Sequence, residues 1–236
     1  GSGRMLASGS LQHGARVYIP APKAEACDAT AAELSALGPC ISLPADVSTV
    51  AGARALAAAL AEREPALDIL VNNAGAAWGE PFETFPEKGW DKVMDLNVKS
   101  PFFLTQALHG LLCKGAQTRP AKVINVASID GISVNPWETY SYAASKAGLI
   151  HLTKRMALRL VQDRIMVSGI APGAFASEMN KEARDHGDEV AGRIPAGRIG
   201  TDEDMAGVAI YLASRAGDYV VGQTFAVDGG VTLARG

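Results

Sequence analysis

The sequence has few of the residues that form disulfide frameworks or metal sites. Its three cysteines, Cys27, Cys40 and Cys113, are odd in number and widely spaced, and they form no Cys-x-x-Cys pair. The four histidines are scattered as well and lack the spacing of a metal-binding pair. A disulfide framework and a bound metal are therefore not expected, and a reducing compartment such as the cytoplasm is favoured.

The sequence also lacks an excess of one charge and a long apolar run. Its formal net charge is −3 with both signs mixed, unlike the basic surface of a nucleic-acid-binding protein. No apolar run reaches the length of a membrane span, and a secretory signal is not expected from the first residues. With 48% hydrophobic residues, no internal repeat and no linker, residues 1–236 are expected to form one domain.

Short apolar runs alternate with longer amphipathic stretches, which is typical of βαβ units and a parallel sheet. Ser48 and Thr201 are predicted to cap helices, and a bend is expected at 99–101, where proline disrupts helical hydrogen bonding. Segment 174–200 is predicted to be a charged, irregular insertion that acts as a mobile substrate lid. The strands are predicted at 15–19, 40–43, 67–71, 122–126, 165–170 and 223–227, and the helices at 4–12, 24–37, 48–63, 86–113, 141–162 and 201–214.

Tyr142 and Lys146 are candidates for a reaction site, because positions four apart share one face of a helix. An ammonium group near a phenol favours the phenolate and lowers the pKa of the phenol, which would allow proton exchange near neutral pH. For this pair alone, the alternative is an ordinary helix with one aromatic residue and one solvated lysine.

Further candidates follow the predicted strands, at the edge where parallel sheets bind ligands. The turns at 72–75 and 172–173 follow two strands, and Ser128 follows the strand between them. Each turn by itself could be an ordinary one. Their occurrence in this order, together with Tyr142 and Lys146, indicates a reaction site.

A set of residues along nearly the whole chain matches one known family. The matching residues are Asp46 and Val47, the turn at 72–75, Asn97 within 95–98, Ser128, Tyr142, Lys146, Pro172, Gly173 and the turn at 227–230. With them the chain resembles the short-chain dehydrogenase/reductases, and within these the β-ketoacyl reductase branch, including the ketoacyl reductases of rhamnolipid pathways. The resemblance implies a Rossmann-like, doubly wound parallel α/β fold. It also implies an oxidoreductase that reduces a ketone, either a 3-oxoacyl thioester or another hydrophobic carbonyl.

The resemblance implies roles for four residues. Tyr142 would protonate the carbonyl oxygen of the substrate, and Lys146 would lower the pKa of the phenol and bind the nicotinamide ribose. Ser128 would hold and polarise the carbonyl, whereas Asn97 would kink its helix and seat a water molecule. The substrate would be a small carbonyl or alcohol compound, with acyl-carrier- and CoA-linked ones among the candidates. The residues expected around the substrate are Trp78, Trp137, Glu138, Phe175 and Met179, with ordinary packing as the alternative for each.

The resemblance also implies a dinucleotide cofactor. Relatives that use NAD often carry an acidic residue after the second strand, whereas this chain has Pro-Ala-Pro-Lys at 20–23, so NADP is expected rather than NAD. Lys23 would contact a 2′-phosphate, the alternative being a solvated lysine at a helix start. The residues implied for cofactor binding are Gly1, Ser2, Gly3, Lys23, Asp46, Val47, Asn73, Ala74, Gly75, Tyr142, Lys146, Pro172, Gly173, Phe175 and Ser177.

The sequence departs from the family at its beginning. The family starts with a strand and a glycine-rich phosphate loop, and residues 1–3 resemble only the tail of that loop. The first strand, expected between those at 15–19 and 67–71, is apparently missing, through omission, truncation or a cloning scar. A non-catalytic relative that acts as a binding or regulatory module is therefore a second hypothesis. A homotetramer, formed through the helices at 86–113 and 141–162 and the C-terminal strand, is expected from the resemblance.

Overall fold

The computed structural model describes residues 1–177 and 180–234, in which strands and helices alternate. The strands are β1 (Val17–Ile19), β2 (Cys40–Ser42), β3 (Ile69–Asn72), β4 (Ala121–Val126), β5 (Ile165–Pro172) and β6 (Thr224–Val227). The α-helices are α1 (Ser2–Gln12), α2 (Ala24–Leu34), α3 (Val50–Ala61), α4 (Glu87–Met94), α5 (Ser100–Gly115), α6 (Tyr140–Leu160), α7 (Lys181–Asp185), α8 (Gly187–Ala191) and α9 (Asp202–Ala213). The predicted parallel α/β architecture is confirmed.

The strands form two parallel sheets. The larger sheet has the order β3–β4–β5–β6, and in its register Val71 pairs with Ile124, which in turn pairs with Ser168. The smaller sheet contains only β1 and β2. No strand in the described part of the chain pairs with both β1 and β3, so the two sheets are separate. This agrees with the sequence, in which the strand expected between them is not recognisable.

Helices cover both faces of the larger sheet, which explains why the central strand β4 is buried along its whole length. Alternate residues of β4 point to opposite faces. Val123 packs in a cluster with Leu112 of α5, whereas Ile124 packs in a second cluster with Leu6 of α1 and Met205 of α9. These two layers fix the carboxyl ends of the strands. None of the helices described is both long and apolar enough to cross a bilayer.

The N-cap of helix α3 lies one residue later than predicted. The cap is Thr49, whose Oγ1 accepts a 3.0 Å hydrogen bond from the backbone N–H of Gly52. The predicted cap, Ser48, instead donates its hydroxyl to the carboxylate of Asp46 at 2.6 Å, because an ionised oxygen is the stronger acceptor. The other predicted cap is confirmed, since Thr201 caps α9 in a reciprocal capping box.

The long helical segment is interrupted by a π turn next to the predicted bend. A π-helical turn at Asp95–Lys99 separates α4 from α5, whereas Pro101 lies in the first turn of α5. Because the helical segment is continuous through the π turn, Pro101 also lacks an N–H that the helix would otherwise use, so both features lie at the predicted position. Segment 174–200 is more regular than predicted, because it contains the short helices α7 and α8.

Candidate active site

Helix α6 places Tyr142 and Lys146 on one face, and the lysine is buried. The ammonium nitrogen of Lys146 lies 5.6 Å from the centre of the Tyr142 ring. It donates a 2.9 Å hydrogen bond to the carbonyl oxygen of Val126, at the end of β4. Burial lowers the pKa of Lys146 to about 8, against an opposing effect of the Asp130 carboxylate. The ammonium therefore keeps its charge at neutral pH but is close to losing it.

The pKa of the Tyr142 phenol is shifted in the direction opposite to the one predicted from the sequence. Burial raises its pKa, a hydrogen bond with Ser128 acts in the opposite direction, and the charge of Asp130 raises it further. The net direction is therefore opposite to the lowering that the resemblance implied, and the effect of Lys146 on this pKa stays a prediction. The physical reason is that the ammonium faces the ring, whereas loss of water around the phenolate penalises ionisation directly.

Asp130 is a site residue that the sequence analysis missed. It lies in a 3-10 turn after β4 (Ile129–Gly131), in which the Ser128 hydroxyl accepts a 3.2 Å hydrogen bond from the Asp130 N–H. This turn packs closely on α6, since a Cβ on Gly131 would lie 2.6 Å from the carbonyl carbon of Lys146. Burial raises the pKa of the Asp130 carboxyl. The sequence feature that could have indicated Asp130 as a site residue is its position two residues after Ser128.

Asn97 lies in the π turn and is fully buried. Its side-chain Oδ1 accepts a 2.8 Å hydrogen bond from the N–H of Ala76, and its Nδ2 donates to the Ala76 carbonyl at 2.9 Å. The same Nδ2 donates to the Ser145 hydroxyl at 2.9 Å. Asn97 thus ties the loop after β3 to α6, one residue before Lys146. The helix distortion implied for Asn97 is present, and its part in a water relay stays a prediction.

A row of buried amides and hydroxyls lies beneath these residues. Asn72 of β3 donates to Asn125 of β4 at 2.8 Å and to Thr105 of α5 at 3.2 Å. Asn125 in turn donates to Thr153 of α6 at 2.9 Å. A slip of one residue between β3 and β4 would leave these groups unpaired in the interior. The row therefore fixes the relative positions of the two strands and the two helices that carry the site.

The N-terminus of α1 lies against the loop after β3. The Ser2 hydroxyl donates to Asn73 Oδ1 at 2.9 Å, and a Cβ on Gly3 would lie 2.7 Å from Asn73 Nδ2. A Cβ on Gly1 would lie 3.8 Å from that of Ser177. The structure thus brings together five of the residues predicted to bind the cofactor, at a helix N-terminus, where anions are favoured.

Glycine turns border the site on two sides. A Cβ on Gly75 would lie 3.6 Å from the Lys146 ammonium, so the backbone of this turn, with the exposed Ala74, passes beside the lysine. Gly173 follows Pro172 at the end of β5, and a Cβ there would lie 2.8 Å from the turn after β6. Both turns offer backbone groups at the carboxyl edge of the sheet.

The remaining predicted cofactor residues are more dispersed. Lys23 is exposed at the start of α2, and Asp46 is exposed in the loop after β2. The side chain of Val47 is buried in the core. Phe175 is only 5% exposed, and its ring packs against Gly200 and in the core cluster that contains residues of α1 and α9. This burial does not support the predicted contact of the Phe175 ring with the substrate.

Trp78 also has a different environment from the predicted one. Its ring packs on Gly89 of α4, where an added Cβ would lie 2.6 Å from it. The ammonium groups of Lys88 and Lys92 lie 5.9 and 5.7 Å from the centre of the same ring. These contacts with α4 favour ordinary packing of the Trp78 ring, which was the alternative to a substrate contact.

Two further predicted substrate residues, Trp137 and Glu138, lie on a loop before α6. Trp137 is 59% exposed. The Glu138 carboxylate accepts hydrogen bonds from the N–H of Phe82 at 3.3 Å and from the Tyr140 hydroxyl at 3.1 Å, which joins two loops. Met179 lies outside the described residues.

Comparisons with known proteins give consistent matches. A family model described as enoyl-(acyl carrier protein) reductase matches residues 1–232. The rhamnolipids biosynthesis 3-oxoacyl-[acyl-carrier-protein] reductase of Pseudomonas aeruginosa is 47% identical over 99% of this chain and 93% of that protein. The solved RhlG/NADP active-site complex of the same species has a TM-score of 0.94 at 47% identity, covering 98% of this chain and 92% of the other. A gluconate 5-dehydrogenase of Burkholderia cenocepacia, in complex with NADP and tartrate, has a TM-score of 0.91 at 33% identity, covering 100% and 92%.

A parallel α/β fold with a tyrosine and a buried lysine at its strand ends, together with these matches, defines an enzyme of the oxidoreductase class. The chain belongs to the short-chain dehydrogenase/reductase family, as its sequence indicated.

Replacing Asn97 by alanine should lower the free energy of unfolding by about 3 kcal/mol, because each buried group left unpaired costs roughly 1–3 kcal/mol. The groups affected are both backbone groups of Ala76 and the Ser145 hydroxyl. Urea denaturation measures the change. The matched control is Gln106→Ala, an exposed position of α5 where a change within about 0.5 kcal/mol is expected. Equal losses in the two variants would contradict the structural role of Asn97.

Proposed function

We propose that this protein reduces a ketone to a secondary alcohol, with NADPH as the hydride donor and Tyr142 as the general acid. The observation that carries the proposal is the cluster of Ser128, Tyr142 and a buried, hydrogen-bonded Lys146 at the end of β4. The solved complex of RhlG with NADP and the reductase names of the relatives support the same chemistry.

The side chains of the cluster would have different roles in the reaction. The hydroxyls of Ser128 and Tyr142 would donate hydrogen bonds to the carbonyl oxygen of the substrate. The bound dinucleotide supplies the hydride. Tyr142 then donates its proton to the oxygen on which negative charge develops. The raised pKa of Tyr142 keeps the phenol protonated at neutral pH, which is the state that an acid needs. The nearby ammonium of Lys146 favours the phenolate that remains.

Asn97 would act as a positioning residue for the loop after β3 and for α6. Three hydrogen bonds to Ala76 and Ser145 occupy its side chain. It holds the Gly75 turn beside Lys146 and holds α6 in place, so the water relay expected from the resemblance would have to use main-chain groups of the π turn.

The residues present fit a dinucleotide at this edge of the sheet. The N-terminus of α1, with Gly1, Ser2 and Gly3, would hold the phosphates, because it presents backbone N–H groups and a positive dipole end. Asn73, Ala74 and Gly75 would border the adenosine ribose. The adenine would lie by Asp46 and Val47, and the carboxamide end would contact the backbone of 172–177. Lys23, exposed at the start of α2, offers a positive charge to the 2′-phosphate of NADP.

We propose a hydrophobic carbonyl compound as the substrate, and a 3-oxoacyl thioester on an acyl carrier protein or CoA as the preferred one. Exposed aromatic rings support this class. Phe82 is 72% exposed and Trp137 is 59% exposed, and Phe82 meets Tyr140 edge-to-face at 5.7 Å. Exposed apolar groups of this kind suit an acyl chain. Segment 174–200 would close over it as a lid.

The assembly proposed is a homotetramer that pairs α5 and α6 with their symmetry mates. Exposed apolar side chains on these helices, Phe102 and Leu158, support it. The three cysteines are free thiols, which supports a reducing location, the cytoplasm.

Replacing Tyr142 by phenylalanine should reduce the reduction of a 3-oxoacyl-CoA by roughly a hundred- to ten-thousand-fold, because the proton donor is removed. NADPH binding, measured by fluorescence titration, should persist. Tyr219, which is 99% exposed, provides the control, and its phenylalanine variant should retain full turnover. Turnover of Tyr142→Phe within about tenfold of the unchanged protein would rule out this general acid.

Replacing Asp130 by asparagine should move the alkaline limb of the pH profile of kcat/KM to lower pH. The limb reports loss of the Lys146 ammonium, whose pKa is about 8 and is raised by the Asp130 charge. The same charge raises the pKa of Tyr142, so removing it shifts both groups in one direction. Asp130→Glu should restore the original limb. An unchanged or more alkaline limb in Asp130→Asn would contradict this electrostatic role.

Replacing Lys23 by alanine should raise the KM for NADPH by about two- to fivefold, because an exposed ion pair contributes up to about 1 kcal/mol. The KM for NADH should not change, because NADH lacks the 2′-phosphate. Steady-state kinetics with both cofactors provides the control within one variant. Equal effects on both cofactors, or a preference of the unchanged protein for NADH, would count against the NADP assignment.

A further inference from the structure

A second cluster of reactive side chains lies away from the proposed reaction site. His109 and Cys113 are four residues apart on one face of α5, and Asp163 lies in the 3-10 turn that follows α6 (Val161–Asp163). The Nε2 atom of His109 is 2.9 Å from Asp163 Oδ2 and 3.4 Å from the sulfur of Cys113. All three side chains are partly buried, and their donor atoms lie within 4.8 Å of one another.

The donor set is that of a zinc site. Zn²⁺ binds imidazole nitrogen at about 2.0–2.1 Å, thiolate sulfur at about 2.3 Å and carboxylate oxygen at about 2.0–2.2 Å. In a tetrahedron with these bond lengths, nitrogen and sulfur lie about 3.5 Å apart and nitrogen and oxygen about 3.4 Å apart. The observed nitrogen–sulfur distance of 3.4 Å fits this value. The nitrogen–oxygen distance of 2.9 Å is that of a hydrogen bond and would widen by about half an ångström.

Arg159 is the group that competes with a cation at this position. Its guanidinium donates to the same oxygen of Asp163 at 2.8 Å. In the single chain the side chain of Arg159 is 54% exposed, so it can turn away from the carboxylate when an ion binds. An exposed ion pair of this kind contributes little, which makes the exchange inexpensive.

We propose that His109, Cys113 and Asp163 bind a divalent ion of the zinc type, with water as the fourth ligand. Three protein ligands of mixed nitrogen, sulfur and oxygen character on partly buried positions leave room for that water. The cluster lies roughly 15–20 Å along α5 from the π turn, at about 1.5 Å per residue. The ion would therefore fasten α5 to the corner between α6 and β5 and would not take part in the reduction.

The test is a Co²⁺ titration of the chelator-treated, full-length protein. Cobalt replaces zinc in four-coordinate sites and makes thiolate binding visible as a charge-transfer band. One equivalent per chain should give this band, and Zn²⁺ should abolish it. Cys113→Ser should remove the band, whereas Cys40→Ser, which changes a buried thiol elsewhere, should retain it. A protein without the band, or a band that persists in Cys113→Ser, overturns the proposal.

Two further variants separate metal binding from general damage to the fold. His109→Ala should weaken Co²⁺ binding by at least tenfold while the far-ultraviolet circular dichroism stays unchanged. Arg159→Ala should bind Co²⁺ more tightly, by up to about fivefold, because a competing cation is removed. Unchanged or weaker binding in Arg159→Ala would contradict this competition for the Asp163 carboxylate and would overturn the assignment. Circular dichroism and NADPH titration confirm that each variant is folded.

Discussion

The side chain of Asn97 is the contact on which the geometry of the active site depends. From within a π turn it bonds both backbone groups of Ala76 and the hydroxyl of Ser145. Single π turns inside helices are uncommon and are often found at functional sites. Here the turn aims the amide into the interior, and α5 then continues in a direction that allows it to pack on α3. The loop after β3 is held beside Lys146 as a result.

The pKa values of Tyr142 and Lys146 are shifted more by burial than by neighbouring charges or hydrogen bonds. An ammonium that has lost its water pays a desolvation cost, which the hydrogen bond to the Val126 carbonyl and the charge of Asp130 only partly offset. The same loss of water keeps the phenol of Tyr142 protonated. Asp130 raises the pKa of both groups, so it favours the charged lysine and the protonated tyrosine, the states that a reduction needs.

The features that depend on spacing and topology could be predicted from the sequence. Apolar periodicity gave the parallel α/β order, and the rule that parallel strands end at one edge brought Ser128, Tyr142 and Lys146 together. Features that depend on tertiary packing could not be predicted in this way. Asp130 resembles any acidic turn residue until its turn packs on α6. Phe175 looks suited to a substrate pocket until its ring packs against the glycine at 200.

The reaction site and the cluster of His109, Cys113 and Asp163 lie at opposite ends of the helix pair α5 and α6. Near its start α6 is fixed by Asn97 through Ser145, and just beyond its end Asp163 meets His109 of α5. The 21 residues of α6 span about 30 Å, so the two contacts restrain both ends of the helix pair without touching each other. Sites this far apart contribute additively to stability. An ion at the distal cluster would therefore stabilise the frame that carries Tyr142 while leaving the proton chemistry to the residues around it.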